Sequence, residues 1–158
     1  MNVLFVCEDN CALSLIAEAI LAAEGNGRFR AYSAGLAAAE AADRGVIEFL
    51  ARHHMHTGEL RPKRLDEFRA PYAPRMDFII TLCDAPVGEN FGDWPGRPFV
   101  AHWNVQDEDA LDDAPEAAHR HAFWTLWRRI KIFAALPHGA VNRRLLERRA
   151  LTLQPSYL

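Results

Sequence analysis

The sequence predicts an α/β fold, a three-layer sandwich built on a four-stranded parallel sheet, and three observations predict it. Four strand-like runs fall in order at Val3–Val6, Phe29–Ser33, Asp77–Asp84 and Phe99–His102. Segments with apolar residues at helical spacing lie between and after them, so strand and helix alternate along the chain. The run Asp77-Phe78-Ile79-Ile80-Thr81-Leu82-Cys83-Asp84 is continuously apolar between polar ends, the pattern of a strand covered on both faces.

The first unit is the most informative. Val3–Val6 gives way to a polar turn and then to Leu13, Ile16, Ala17, Ile20 and Leu21 on one helical stripe. Cys7 stands where the strand ends, and the loop after it carries its N–H groups toward the amino end of the helix. Unpaired N–H groups and the positive end of the helix dipole converge there, which makes an anion cradle. The same field favours a thiolate, so a cysteine at that place can be a nucleophile.

Gly25-Asn26-Gly27 is a helix stop, and the second strand runs out at Ser33-Ala34-Gly35. Val46, Ile47, Phe49 and Leu50 mark a helix ending near His53. Pro62-Lys63-Arg64-Leu65-Asp66-Glu67-Phe68 is expected to form a further short helix. Residues 85–98, rich in Gly and Pro, read as a loop. From Pro115 to Leu136, Ala118, Ala122, Phe123, Leu126, Trp127, Ile130 and Phe133 recur at the period of a long amphipathic helix. Residues 1–136 are therefore expected to form one domain, with 137–158 a helical tail packed on it or extending it, its basic helix running from Val141 to Leu151.

A chain of 158 residues, half of them apolar, can bury a core as one domain. A net charge of −3 gives no electrostatic argument for nucleic acid. Arg128, Arg129, Lys131, Arg143, Arg144, Arg148 and Arg149 read as a solvated helix face. No apolar run has the length of a membrane span, and no basic residue precedes the first one, so a cytoplasmic location is expected. Cys7, Cys11 and Cys83 are an odd number of cysteines without the spacing of a disulfide framework or a structural zinc site. His53-His54-Met55-His56, with His119 and His121, lacks i, i+4 ligand spacing on one helix. No metal and no cofactor are expected. Trp94, Trp103, Trp124 and Trp127 read as packing residues.

The segment Cys7-Glu8-Asp9-Asn10-Cys11-Ala12-Leu13-Ser14 resembles the phosphate-binding loop of the low-molecular-weight protein tyrosine phosphatases and the related thioredoxin-coupled arsenate reductases. Those families carry Cys-x5-Arg-Ser/Thr at the end of the first strand. The resemblance covers roughly residues 2–136 and includes the Ser33-Ala34-Gly35 turn. It implies that Cys7 is the nucleophile, Asn10 braces the loop and Ser14 supports the thiolate. It matches Cys83, in Thr81-Leu82-Cys83, to the cysteine that resolves the intermediate in the reductases. It places the general acid in the acidic cluster after His102-Trp103, at Asp107 or with Gln106 in that position. The ligand it implies is an oxyanion such as phosphate, arsenate or sulfate, and the reductant a thiol protein such as thioredoxin.

Two departures bear on activity. The arginine position is Leu13, which has neither charge nor donor. Arginine suits the transition state because its planar fork matches two oxygens, and losing one preorganised donor commonly costs about 3–4 kcal/mol. Glu8 and Asp9 add carboxylates beside the cradle, and one unit charge at roughly 6 Å opposes another by about 3 kcal/mol at an effective dielectric of about 20. Asp9 also raises a backbone question wherever the loop needs positive φ. The family's second downstream cysteine is absent, Val87, Gly88, Glu89, Asn90 and Phe91 standing there instead.

Three readings remain at this point. The first is an enzyme of this family using Cys7, with activity impaired or altered by Leu13. The second is a non-catalytic relative, a pseudophosphatase that binds or regulates. The third is a thiol redox protein pairing Cys7 with Cys11 or Cys83. The sequence leaves the oligomeric state open.

Overall fold

A computed structural model describes residues 1–82, 91–105 and 114–137. Four strands, β1 (Asn2–Cys7), β2 (Arg30–Gly35), β3 (Phe78–Thr81) and β4 (Phe99–His102), form one sheet in the order β2-β1-β3-β4. All three pairings are parallel, with Val6 beside both Ala34 and Thr81, and Thr81 beside His102. Three α-helices accompany them, α1 (Leu13–Glu24), α2 (Arg44–Arg52) and α3 (Pro115–Ala134). The α/β prediction holds, and β1 occupies the centre because its side chains are apolar on both faces.

Alternation along β1 sends its residues into two cores. Val3 and Phe5 join Ile16, Ile20, Val46, Phe49, Phe123, Ile130 and Phe133, so the three helices cover one face of the sheet. Leu4, Val6 and Ile79 join Leu65, Phe68, Met76 and Trp94 on the other. That second face is closed by two short 3-10 turns, Leu65–Phe68 and Phe91–Asp93. The helix expected over 62–68 is therefore only one 3-10 turn. The residues before it are held extended, Arg64 bridging Gly35 of β2 and the Lys63 N–H donating to Asn10 Oδ1, so helical geometry begins only at Leu65.

Gly25 caps α1, its N–H donating to the Leu21 carbonyl at 2.9 Å. Asp43 caps α2, its Oδ1 accepting from the Val46 N–H at 3.0 Å. His53 follows α2 and stacks between Phe49 and Phe123, at 4.4 and 5.0 Å between ring centres. Trp94 and Trp103 are buried, whereas Trp124 is 41% exposed. Among the described residues no three His, Cys, Asp or Glu side chains converge as a metal set, and no helix is long and apolar enough to cross a membrane. Cys83, Gln106, Asp107 and the tail 137–158, except Pro137, lie outside the described residues.

Candidate active site

The loop between β1 and α1 is set by hydrogen bonds on three sides. On its outer side the carbonyls of Cys7, Glu8 and Asp9 accept from the N–H groups of Leu36, Ala37 and Ala39 at 3.2, 2.8 and 2.8 Å. The Cys11 carbonyl accepts from the Asp43 N–H at 2.9 Å, so the residue that caps α2 also holds the loop. Gly35 lies directly under the loop. A Cβ there would stand 2.9 Å from the Asp9 carbonyl carbon and 2.9 Å from the Glu8 oxygen, so only glycine permits this approach. The carbonyls of Cys7, Glu8, Asp9 and Cys11 are thus all committed to neighbouring segments.

Beneath the thiol runs a buried chain of bonds. Cys7 Sγ is 3.0 Å from Ser14 Oγ. Asn10 Nδ2 donates to the same hydroxyl at 2.8 Å. Asn10 Oδ1 in turn accepts from the Lys63 N–H at 2.7 Å, across 53 residues of chain. Asn10 and Ser14 are fully buried and Cys7 nearly so. Because the Ser14 oxygen receives the Asn10 amide, its own proton is free to point at sulfur, which is the orientation that supports a thiolate.

Asn10 also carries the loop's backbone turn. Its φ is 53°, in the left-handed region that asparagine enters more readily than most residues. The backbone question raised by Asp9 is thus answered one residue later, since Asp9 is not a positive-φ residue.

Lys63 contributes more than its amide. Its ammonium donates to Glu18 Oε2 at 3.0 Å and to the Arg61 carbonyl at 2.8 Å, with little of either charged side chain exposed. Ser33 Oγ donates to the same Glu18 oxygen. The paired lysine is a structural clip joining the 61–64 segment to α1 and β2, and Gly35 N–H donates to its carbonyl at 2.8 Å. Sequence reading missed Lys63, Glu18 and Gly35 as parts of the site, because none has a local pattern that reports the distant partner.

The mouth of the loop differs from its floor. Glu8 and Asp9 are exposed, and Leu13 is half-buried, packed with Ala12 against the helical core. Asp9 Oδ1 accepts from the Cys11 N–H at 3.1 Å and lies 4.0 Å from Cys7 Sγ. Burial, then the hydrogen bond and charge of Asp9, push the Cys11 thiol up to about 12, with Cys7 and Asp43 adding to the effect. Cys7 and Cys11 are both free thiols. Of the residues expected in the site, the structure brings Cys7, Asn10, Ser14, Asp9 and Cys11 together. At the same edge of the sheet, Thr81 Oγ1 is hydrogen-bonded to His102 Nδ1, tying the ends of β3 and β4.

The family model for low molecular weight phosphotyrosine protein phosphatase matches residues 2–91. Among solved structures, an arsenate reductase in the phosphate-binding state is 21% identical, with 85% of this chain and 96% of that chain covered and a TM-score of 0.67. The YwlE arginine phosphatase from Geobacillus stearothermophilus is 21% identical over 84% of this chain and 90% of that one, with a TM-score of 0.65. A thioredoxin-dependent arsenate reductase from Corynebacterium glutamicum is 24% identical over 84% of this chain and 62% of that one, with a TM-score of 0.59. At these identities the likeness is one of fold. No curated protein matches the sequence.

Proposed function

The chain belongs to the low molecular weight phosphotyrosine protein phosphatase family, and from that premise we propose that Cys7 is the thiolate nucleophile of an oxyanion-binding loop whose turnover is lowered by leucine at position 13. What supports the reading is the buried chain Cys7–Ser14–Asn10–Lys63, in which the Ser14 hydroxyl accepts from Asn10 and keeps its own proton available to a thiolate at sulfur. A cysteine that only filled space would not need three buried polar groups arranged beneath it, each costly to bury unpaired.

In the reaction the Cys7 thiolate attacks phosphorus and the bond from phosphorus to the leaving oxygen breaks. The leaving oxygen takes a proton, for which Asp107 is the candidate donor. Water then attacks the phosphocysteine, releasing phosphate and the thiolate. The loop N–H groups and the amino end of α1 would hold the equatorial oxygens. Leu13 leaves that negative charge without its permanent cationic partner. The ligand class is a tetrahedral oxyanion, phosphate or arsenate. With arsenate, thiol chemistry would require a reductant, and thioredoxin is the class named for one structural neighbour.

A non-catalytic binding role is the second reading, and the packing of Leu13 against the core favours it. Aryl phosphate hydrolysis separates the two. The natural protein is expected to show slow turnover that Cys7→Ser abolishes, and Leu13→Arg is expected to raise kcat by about 10²-fold, the scale of one oxyanion donor. Hydrolysis that survives Cys7→Ser, or none in either the natural protein or Leu13→Arg, would overturn the catalytic reading.

A further inference from the structure

The loop that would receive a substrate oxyanion already holds an anion of its own. One oxygen of the Asp9 carboxylate faces two donors of the cradle, the Cys11 N–H at 3.1 Å and the Cys7 thiol at 4.0 Å. A tetrahedral oxyanion in line for attack must sit against that same sulfur and accept from the same loop amides. We propose that Asp9 is an internal occupant of the oxyanion site, a self-blocking carboxylate that an incoming phosphate must displace. The inference rests on the reading of the loop as an oxyanion site.

The position of the carboxylate is fixed by the backbone that presents it. The Glu8 and Asp9 carbonyls are held by Ala37 and Ala39, and Gly35 presses on the loop from below. Asn10, the next residue, is locked by its bonds to Ser14 and Lys63. The Asp9 side chain is therefore anchored at its root while its tip remains exposed, and rotation about its own bonds would open the mouth without unfolding the loop. The block is thus reversible. Burial is the first cause of the raised Cys11 thiol, and the Asp9 carboxylate adds to it both as hydrogen-bond partner and as charge.

The test is calorimetric titration of the full reduced chain with inorganic phosphate, in the natural protein, Asp9→Asn and Asp9→Ala, and again with Leu13→Arg added to each. Asp9→Ala is expected to bind phosphate about tenfold or more tighter than the natural protein, the low end for removing one screened unit charge from beside a dianion. Asp9→Asn keeps the acceptor for the Cys11 N–H and is expected to fall between them. It also serves if the alanine variant loses its fold, which circular dichroism reports. Equal affinity with and without Asp9, or weaker binding once it is removed, would overturn the self-blocking role while leaving the oxyanion site standing. Absence of binding in every variant, including those carrying Leu13→Arg, would overturn the oxyanion site and the self-block with it.

Discussion

Beneath Cys7, a closed chain of hydrogen bonds runs through Ser14 and Asn10 to the Lys63 amide, every member of it buried. At the mouth, Asp9 Oδ1 lies 4.0 Å from the sulfur, exposed Glu8 adds a second negative charge and half-buried Leu13 brings none. The floor serves the fold as much as the chemistry, since removing any member strands another buried polar group. The mouth is less constrained: Glu8 and Asp9 are exposed and can change without disturbing the core, while Leu13 is only partly packed against it. The polar support under the Cys7 thiol and the charge at the mouth above it can therefore vary separately.

The sharpest way to break this contrast is to remove the brace. Asn10→Ala is expected to destabilise the protein by about 2–4 kcal/mol, from the orphaned Lys63 N–H, the freed Ser14 hydroxyl and a left-handed backbone that alanine tolerates poorly. Glu8→Gln at the mouth should change stability by no more than about 0.5 kcal/mol. Urea denaturation of both variants decides it, and equal losses would mean that floor and mouth are not distinct.

An intermediate effect is expected in the alkaline range. Cys11 is raised in the folded state to about 12 from an ordinary value of 9.0. The folded chain thus holds a proton there that the unfolded chain releases. The contribution to stability is fully present below pH 9 and is lost as pH rises toward the folded value. Asp9→Asn removes the charge that helps to hold Cys11 up, so pH-dependent alkylation of Cys11, located by peptide mass spectrometry, should begin at lower pH than in the natural protein. Coincident profiles would show that Asp9 does not act on Cys11.

Much of the fold was legible because its signals are local. The apolar run of β1, the stripe on α1 and the buried pattern of β3 each follow from neighbouring residues. The spacing of Cys7, Asn10 and Ser14 also follows from one strand, one loop and one helical turn. What could not be read is what joins distant segments: Lys63 bracing Asn10 across 53 residues, Glu18 clasping Lys63 and Ser33, and Gly35 admitting the loop. These depend on where the 61–64 segment runs against β2, which no periodicity reports. The capture of the Cys11 amide by the Asp9 side chain was missed for a different reason. A carboxylate two residues before an N–H is a common local turn, but whether it lies near the Cys7 sulfur depends on the loop's path.

The measurement closest to the central claim is acid-quenched trapping of the Cys7 intermediate after mixing with an aryl phosphate, followed by peptide mass spectrometry. One phosphoryl group is expected on the peptide carrying Cys7, more of it in Leu13→Arg, and none in Cys7→Ser. A phosphoryl group on another residue, or none on Cys7 in both the natural protein and Leu13→Arg, would contradict that claim.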